Sequence, residues 1–152
     1  MEKITINIDS DFRDISIYPL CSKFMILLSD NIKNVISIKI SSFELKYNDT
    51  ISSNYNYLFL KINDYGNFYT ICNNDNIYLY PYKILGKIIL SGNNNSLLYD
   101  NYNFISNEYV FKYPININKF NIELLTPNGN IFDELTDNYS FTLELIYNRN
   151  NI

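Results

Sequence analysis

Two segments near the C-terminus, Phe120-Asn121-Ile122-Glu123-Leu124-Leu125 and Phe141-Thr142-Leu143-Glu144-Leu145-Ile146-Tyr147, carry an apolar residue at every second position. A period of two sends alternate side chains to opposite faces of an extended chain, so each segment reads as a β-strand with one face on a core. Between them stands Thr126-Pro127-Asn128-Gly129-Asn130, where Asn128 and Gly129 are turn-forming residues that tolerate positive φ. The two segments therefore read as a strand pair joined by a turn, with Glu123 facing Glu144 on its outer side.

Strand-like runs recur upstream at Ile4 to Ile8, Asp14 to Ile17, Phe24 to Leu28, Val35 to Leu45, Tyr57 to Ile62, Asn67 to Cys72, Ile77 to Tyr80, Lys87 to Leu90 and Tyr109 to Lys112. The only helical candidate is a turn at Asp30 to Asn34. The chain is poor in Ala but holds 15 Tyr, 10 Phe and many Ile. β-Branched and aromatic side chains suit a pleated surface, and helices lack their best former. Many short strands without an amphipathic helix make an all-β sandwich or barrel, and 152 residues suit one domain.

Two strands carry more detail. In Val35 to Leu45, Ile36, Ile38 and Ile40 share one face while Phe43 and Leu45 fall on the other parity. A bulge at Ser41-Ser42 or a switch of buried face reconciles them, as happens where a strand bends from one sheet to another. In Tyr57 to Ile62 the buried set is Leu58, Leu60 and Ile62. The aromatic second face, Tyr57 and Phe59, then calls for a cover, another sheet or a neighbouring subunit.

Roughly one residue in six is asparagine, well above ordinary usage. The runs at Asn73-Asn74-Asp75-Asn76, Asn93-Asn94-Asn95 and Asn150-Asn151 are short and mark loops in a chain whose codon usage reflects an AT-rich genome. The longest expected loop spans Ser91 to Asn107 and displays Tyr99 and Tyr102.

Chemistry is bounded mainly by what is missing. With no histidine in the chain, Ser-His-Asp and Cys-His nucleophilic sets and His-ligated metals are excluded. The four glycines are isolated, so no phosphate loop exists, and no cofactor is implied. A net charge of -4 without a basic run argues against direct nucleic-acid binding. Cys21 and Cys72 have no CxxC spacing; they read as free thiols, with a mutual disulfide as the alternative. Asp9, Asp11 and Asp14 are a candidate calcium set that lacks the glycine and terminal Glu of an EF-hand loop, so a polar connection with Arg13 pairing locally is favoured. Asp133, Glu134 and Asp137 form a second acidic group. The N-terminal alternation Ile4, Ile6, Ile8 is not a signal peptide, and no run approaches the roughly 20 apolar residues of a membrane span. The expected product is soluble, made in a cytosol, and not an enzyme.

Three stretches together carry a resemblance. They are Ile8-Asp9-Ser10-Asp11-Phe12-Arg13-Asp14 followed by Tyr18-Pro19; Phe24-Met25-Ile26-Leu27-Leu28 with Ile32-Lys33-Asn34-Val35-Ile36-Ser37-Ile38 and Ser42-Phe43-Glu44-Leu45; and the tail from Phe120 to Phe132 with Asp137 to Leu145. Asn56 to Ile62 extends the likeness into the middle. These resemble the single jelly-roll capsid proteins, penton or minor-capsid components, of nucleocytoplasmic large DNA viruses, the giant viruses. Cys21 stands where that family's Tyr-Pro-x-Pro phrase carries its second proline.

The resemblance implies an antiparallel two-sheet β-sandwich of jelly-roll type, with about eight or more strands and little or no helix. It implies residues 1-19 as an N-terminal arm and connection and residues 20-152 as a single jelly-roll domain. It further implies a structural virion protein, made in the host cytoplasm, whose partners are copies of itself and other capsid proteins. The arm would add a strand to a neighbour's sheet edge through Ile4, Ile6 and Ile8. The alternative is a carbohydrate-binding or host-interaction β-sandwich, with Tyr99 and Tyr102 meeting a glycan.

Overall fold

The computed structural model describes residues 1–46, 55–66, 83–90, 97–98, 104–106, 108–135 and 137–149. The expected strands at Asn67 to Cys72 and Ile77 to Tyr80, as well as Tyr99 and Tyr102, lie outside them. The strands among these residues are β1 (Glu2–Asp9), β2 (Lys23–Lys46), β3 (Tyr57–Ile62), β4 (Gly86–Ile89), β5 (Leu97–Leu98), β6 (Phe104–Ser106), β7 (Tyr109–Leu125) and β8 (Tyr139–Tyr147). The only helical turn among the described residues is a 3-10 turn at Ser10–Phe12. The protein is therefore all-β, and every strand pairing is antiparallel.

The strands form one curled sheet in the order β1-β8-β2-β7-β3-β4-β6, with β5 on β2. This corrects the strand pair expected at the tail. β7 lies between β2 and β3, β8 lies between β1 and β2, and the two never pair. The turn itself forms as read: Gly129 N–H donates to Thr126 O at 2.9 Å and Thr126 N–H to Asn130 O at 2.8 Å. Of its two turn residues only Gly129 adopts positive φ, at 82°. Instead of launching β8 beside β7, the turn folds Phe132 back so that its N–H donates to Leu124 O. Phe132 and Leu135 are then buried as the chain crosses to the other half of the sheet.

β2 is the axis of the curl. Its first part, Lys23 to Leu27, pairs with the end of β7, and its second part, Val35 to Leu45, pairs with β8. The helical turn expected at Asp30 to Asn34 is instead extended strand, because the backbone there has ladder partners: Ile32 opposes Ile117 and Asn34 O accepts from Asn148 N–H. Asn34 absorbs the bend with φ at 57°, its N–H taken by Asn116 Oδ1. The parity change proves to be two bulges. One shift falls between Val35 and Ser37, the other between Ile40 and Ser42, where Ser41 is the extra residue. The buried set is accordingly Val35, then Ile38 and Ile40, then Phe43 and Leu45. Ile36, expected inside, sits at the first bulge and is only partly buried.

These residues join Phe24, Leu58, Leu60, Ile62, Phe120, Ile122, Leu124, Phe141, Leu143 and Leu145 in one core. Tyr139 ties its two sides together, stacking on Phe43 at 5.5 Å and meeting Phe24 edge-on at 6.2 Å. The second face of β3 is covered by the chain itself: Phe59, Ile84 and Leu125 make a separate small core with Tyr57 and Ile131 packed on it. Gly66 makes that closure sterically possible, since a Cβ on it would stand 2.1 Å from Ile84 O. The Ser91 to Asn107 stretch is also not wholly loop, because β5 and β6 lie within it.

Candidate interaction surface

β1 pairs with β8 of its own chain through eight consecutive registers, Glu2 with Tyr147 to Asp9 with Ser140, without a shift. Among the described residues no strand occupies its other edge. The three isoleucines proposed for interaction share one face of β1 but not one fate. Ile8 is taken by the core at 2% exposure, whereas Ile4 is 37% exposed and Ile6 half-buried. Ile4 and Ile6 line an open groove of about 740 Å³ whose other wall includes Leu28, Ile32, Tyr147 and Arg149. Residues 28 to 34, leading into the bend of β2 at Asn34, line the same groove.

The connection after β1 is fastened at the point where two of the resembling stretches meet. Arg13 Nη1 donates to Ser10 O at 2.6 Å and to Asn138 Oδ1 at 2.7 Å, and its Nε donates to Tyr18 O at 3.0 Å. Ser10 is buried; its hydroxyl donates to Asn138 Oδ1 and accepts from Tyr139 N–H. Asn138 Nδ2 in turn donates to Asp11 Oδ1 at 2.8 Å. This polar clasp joins the end of β1 to the start of β8. Cys21, a free buried thiol, closes the same region with its sulfur 3.4 Å from both Leu135 O and Asp137 O. Burial pushes its pKa up, so it stays a thiol and behaves as a small packing residue.

Asp9 and Asp14 are used locally, but not by Arg13, which the sequence reading paired with the acidic residues and which binds backbone carbonyls and Asn138 instead. Asp9 Oδ1 accepts from Asp11 N–H, and Asp14 Oδ1 accepts from the Ser16 hydroxyl and N–H. Those hydrogen bonds hold the Asp14 carboxyl below the usual carboxylate range. Ile17 and Tyr18 N–H both donate to Asp14 O, so Asp14 to Ile17 is a turn and not the expected strand. A turn cannot bury side chains on one face as a strand does. Phe12 is 82% exposed, and Ile15, Ile17 and Leu20 also point to solvent. Their exposure was not visible in the sequence, because only the clasp decides which way the connection faces.

Glu123 and Glu144 do not face one another. Each sits on a central strand between two lysines of its neighbours: Glu144 with Lys3 at 3.1 Å and Lys39 at 2.9 Å, Glu123 with Lys23 at 3.6 Å and Lys61 at 3.2 Å. Hydrogen bonds from Lys39 and Lys3 lower the pKa of Glu144. Both carboxylates are cross-strand ties on the outer face. Among the described residues no group of His, Cys, Asp or Glu is placed to hold a metal ion. A shallow polar pocket of about 360 Å³ lies between β3 and β7, lined by Lys61, Asn63, Asn116, Asn118, Asn121 and Glu123 among others. Asn63, at φ 48°, shapes it by accepting from the Asn121 N–H and side-chain amide.

No helix among the described residues is long and apolar enough to cross a membrane. The sequence matches no family model, and no curated protein matches it significantly.

Proposed function

We propose that this chain is a structural capsid subunit of jelly-roll type, of the penton or minor-capsid kind, acting through protein-protein assembly in a virion. One observation carries the reading beyond the sequence resemblance: Phe12, Ile15, Ile17 and Leu20 are held outward on a connection fastened by Arg13. Four large apolar side chains held toward solvent on a fastened connection suit a docking surface.

The strand order supports the jelly-roll part. Dividing β2 at its bend and β7 near its middle gives ten strand segments, of which eight fall into two antiparallel sets, with the short β5 and β6 beside them on β2 and β4. One is β1, β8, the end of β2 and the start of β7; the other is the start of β2, the end of β7, β3 and β4. Two such four-stranded sets that exchange strands at their corners have the neighbour order of a double Greek key. Native mass spectrometry with light scattering tests the function. The expectation is discrete self-association, reduced by the double change Phe12→Ser and Ile17→Ser. A monomer at every concentration would overturn it.

The alternative, a carbohydrate-binding module, draws on the asparagine-lined pocket beside Lys61 and Glu123, since amide groups with an ion pair suit sugar hydroxyls. Saturable binding on a glycan array, lost in Asn121→Ala, would favour it. Tyr99 and Tyr102, the sequence candidates for that role, lie outside the described residues.

A further inference from the structure

Among the described residues β1 has no strand on its outer edge, whereas the other long strands, β2, β7 and β8, each have neighbours on both sides. Natural edge strands are blunted by bulges, prolines, brevity or inward charges, because unpaired N–H and C=O groups recruit further strands. β1 runs eight residues in unbroken register, contains no proline, and carries isoleucines at its inward positions 4, 6 and 8. β2, by contrast, is bulged twice within its pairing to β8.

We infer that this edge is completed by β1 of a second copy, antiparallel about a two-fold axis at Ile6. The inference rests on the self-assembly reading above and names its contact. Face alternation selects the register. Antiparallel partners share a face, so only registers joining even positions to even ones keep the isoleucines together. Centring on Ile6 opposes Ile4 with Ile8, Thr5 with Asn7 and Lys3 with Asp9, the last an opposite-charge pair repeated by the symmetry. Centring on Thr5 would set Glu2 against Ile8, and centring on Asn7 would shorten the ladder. The incoming Ile4 and Ile6 then extend the apolar wall of the groove formed by Ile4, Ile6, Leu28 and Ile32. Such an isologous contact closes on itself and forms a dimer, not a filament.

Sedimentation velocity on the full chain tests this. Wild type should dimerise, and Ile6→Lys, which sets two like charges on the axis, should weaken the dimer by at least about tenfold. Near-UV circular dichroism should be retained, because Ile6 is only partly buried. Lys3→Asp should weaken the dimer, and adding Asp9→Lys should restore it. An oligomer that survives Ile6→Lys would overturn the β1 contact while leaving self-assembly standing. A wild type that is monomeric throughout would overturn both.

Discussion

β1 and β2 flank the same strand, β8, and differ in almost every other respect. β1 is in continuous register and half-exposed. β2 is 24 residues long, bent at Asn34 and bulged at two places along β8. Both are apolar at alternate positions, so alternation alone does not separate a strand that closes the core from one that borders it. The extra residues do. Each bulge in β2 rotates the following side chains by one position, which keeps an apolar face turned inward while the strand swings from β7 toward β8. β1, with no such residue, keeps one register along β8 and, among the described residues, has no strand on its outer edge.

The contrast predicts unequal sensitivity. Inserting one residue between Ser42 and Phe43, past the second bulge, sends Phe43 and Leu45 to the outer face; a loss on the order of 5 kcal/mol is expected, seen as absent near-UV circular dichroism. Deleting Glu2 from β1 should leave a folded chain. Phe43→Ala should cost about 4 kcal/mol in urea denaturation, because it leaves a void against Tyr139 and Phe141. Ile4→Ala should cost less than about 1 kcal/mol, and equal losses would show that β1 is as much a core strand as β2.

What holds a half-exposed strand in place is then the clasp at its end. Arg13→Ala removes four hydrogen bonds, to Ser10 O, Tyr18 O, Pro19 O and Asn138 Oδ1. About 2 kcal/mol of stability should go with them, and hydrogen exchange should quicken in β1 before it does in β2. Tyr139→Phe should act the other way. The Tyr139 hydroxyl is buried without a hydrogen-bond partner among the described residues, and burial pushes its pKa well above the usual tyrosine range. Its removal should stabilise the fold by about 1 kcal/mol, read as a higher urea midpoint.

The smallest effect belongs to Glu144, which ties β1 and β2 through Lys3 and Lys39. Its carboxyl pKa in the fold lies below the ordinary 4.5. The unfolded chain therefore binds the proton more readily, and the contribution is present above pH 4.5 and lost as pH falls through the lowered value. Glu144→Gln should differ from wild type by no more than about 1 kcal/mol at neutral pH, the pair being open to solvent. The difference should vanish in acid; one that persists there would assign the effect to packing.

Much of this was legible in particular residues. The run from Tyr57 to Ile62 is β3 to the residue, and the parity break at Ser41-Ser42 located a bulge correctly. Helix was misread at Asp30 to Asn34 because a short polar stretch looks like a turn until backbone partners on Ile117 and Asn148 are known. The tail hairpin was misread because a turn specifies only a local reversal. Which strand then fills the space beside β7 depends on β2, nearly a hundred residues upstream. The clasp of Ser10, Arg13 and Asn138 spans more than 120 positions, as the Arg13 to Asn138 separation of 125 shows. No spacing rule reaches so far.

By itself the sequence determined that the chain is all-β, which residues of most strands face inward, and which catalytic chemistries a histidine-free chain lacks. Those are properties of single segments, set by side-chain size, branching and a period of two. Only the tertiary structure decided that β2 separates the two tail strands, that Glu123 and Glu144 are each held by lysines, and that Ile8 is buried while Phe12, Ile15 and Ile17 are displayed. Strand neighbours are chosen by the whole set of apolar faces and edges competing to be covered, and that competition is settled in three dimensions, not along the chain.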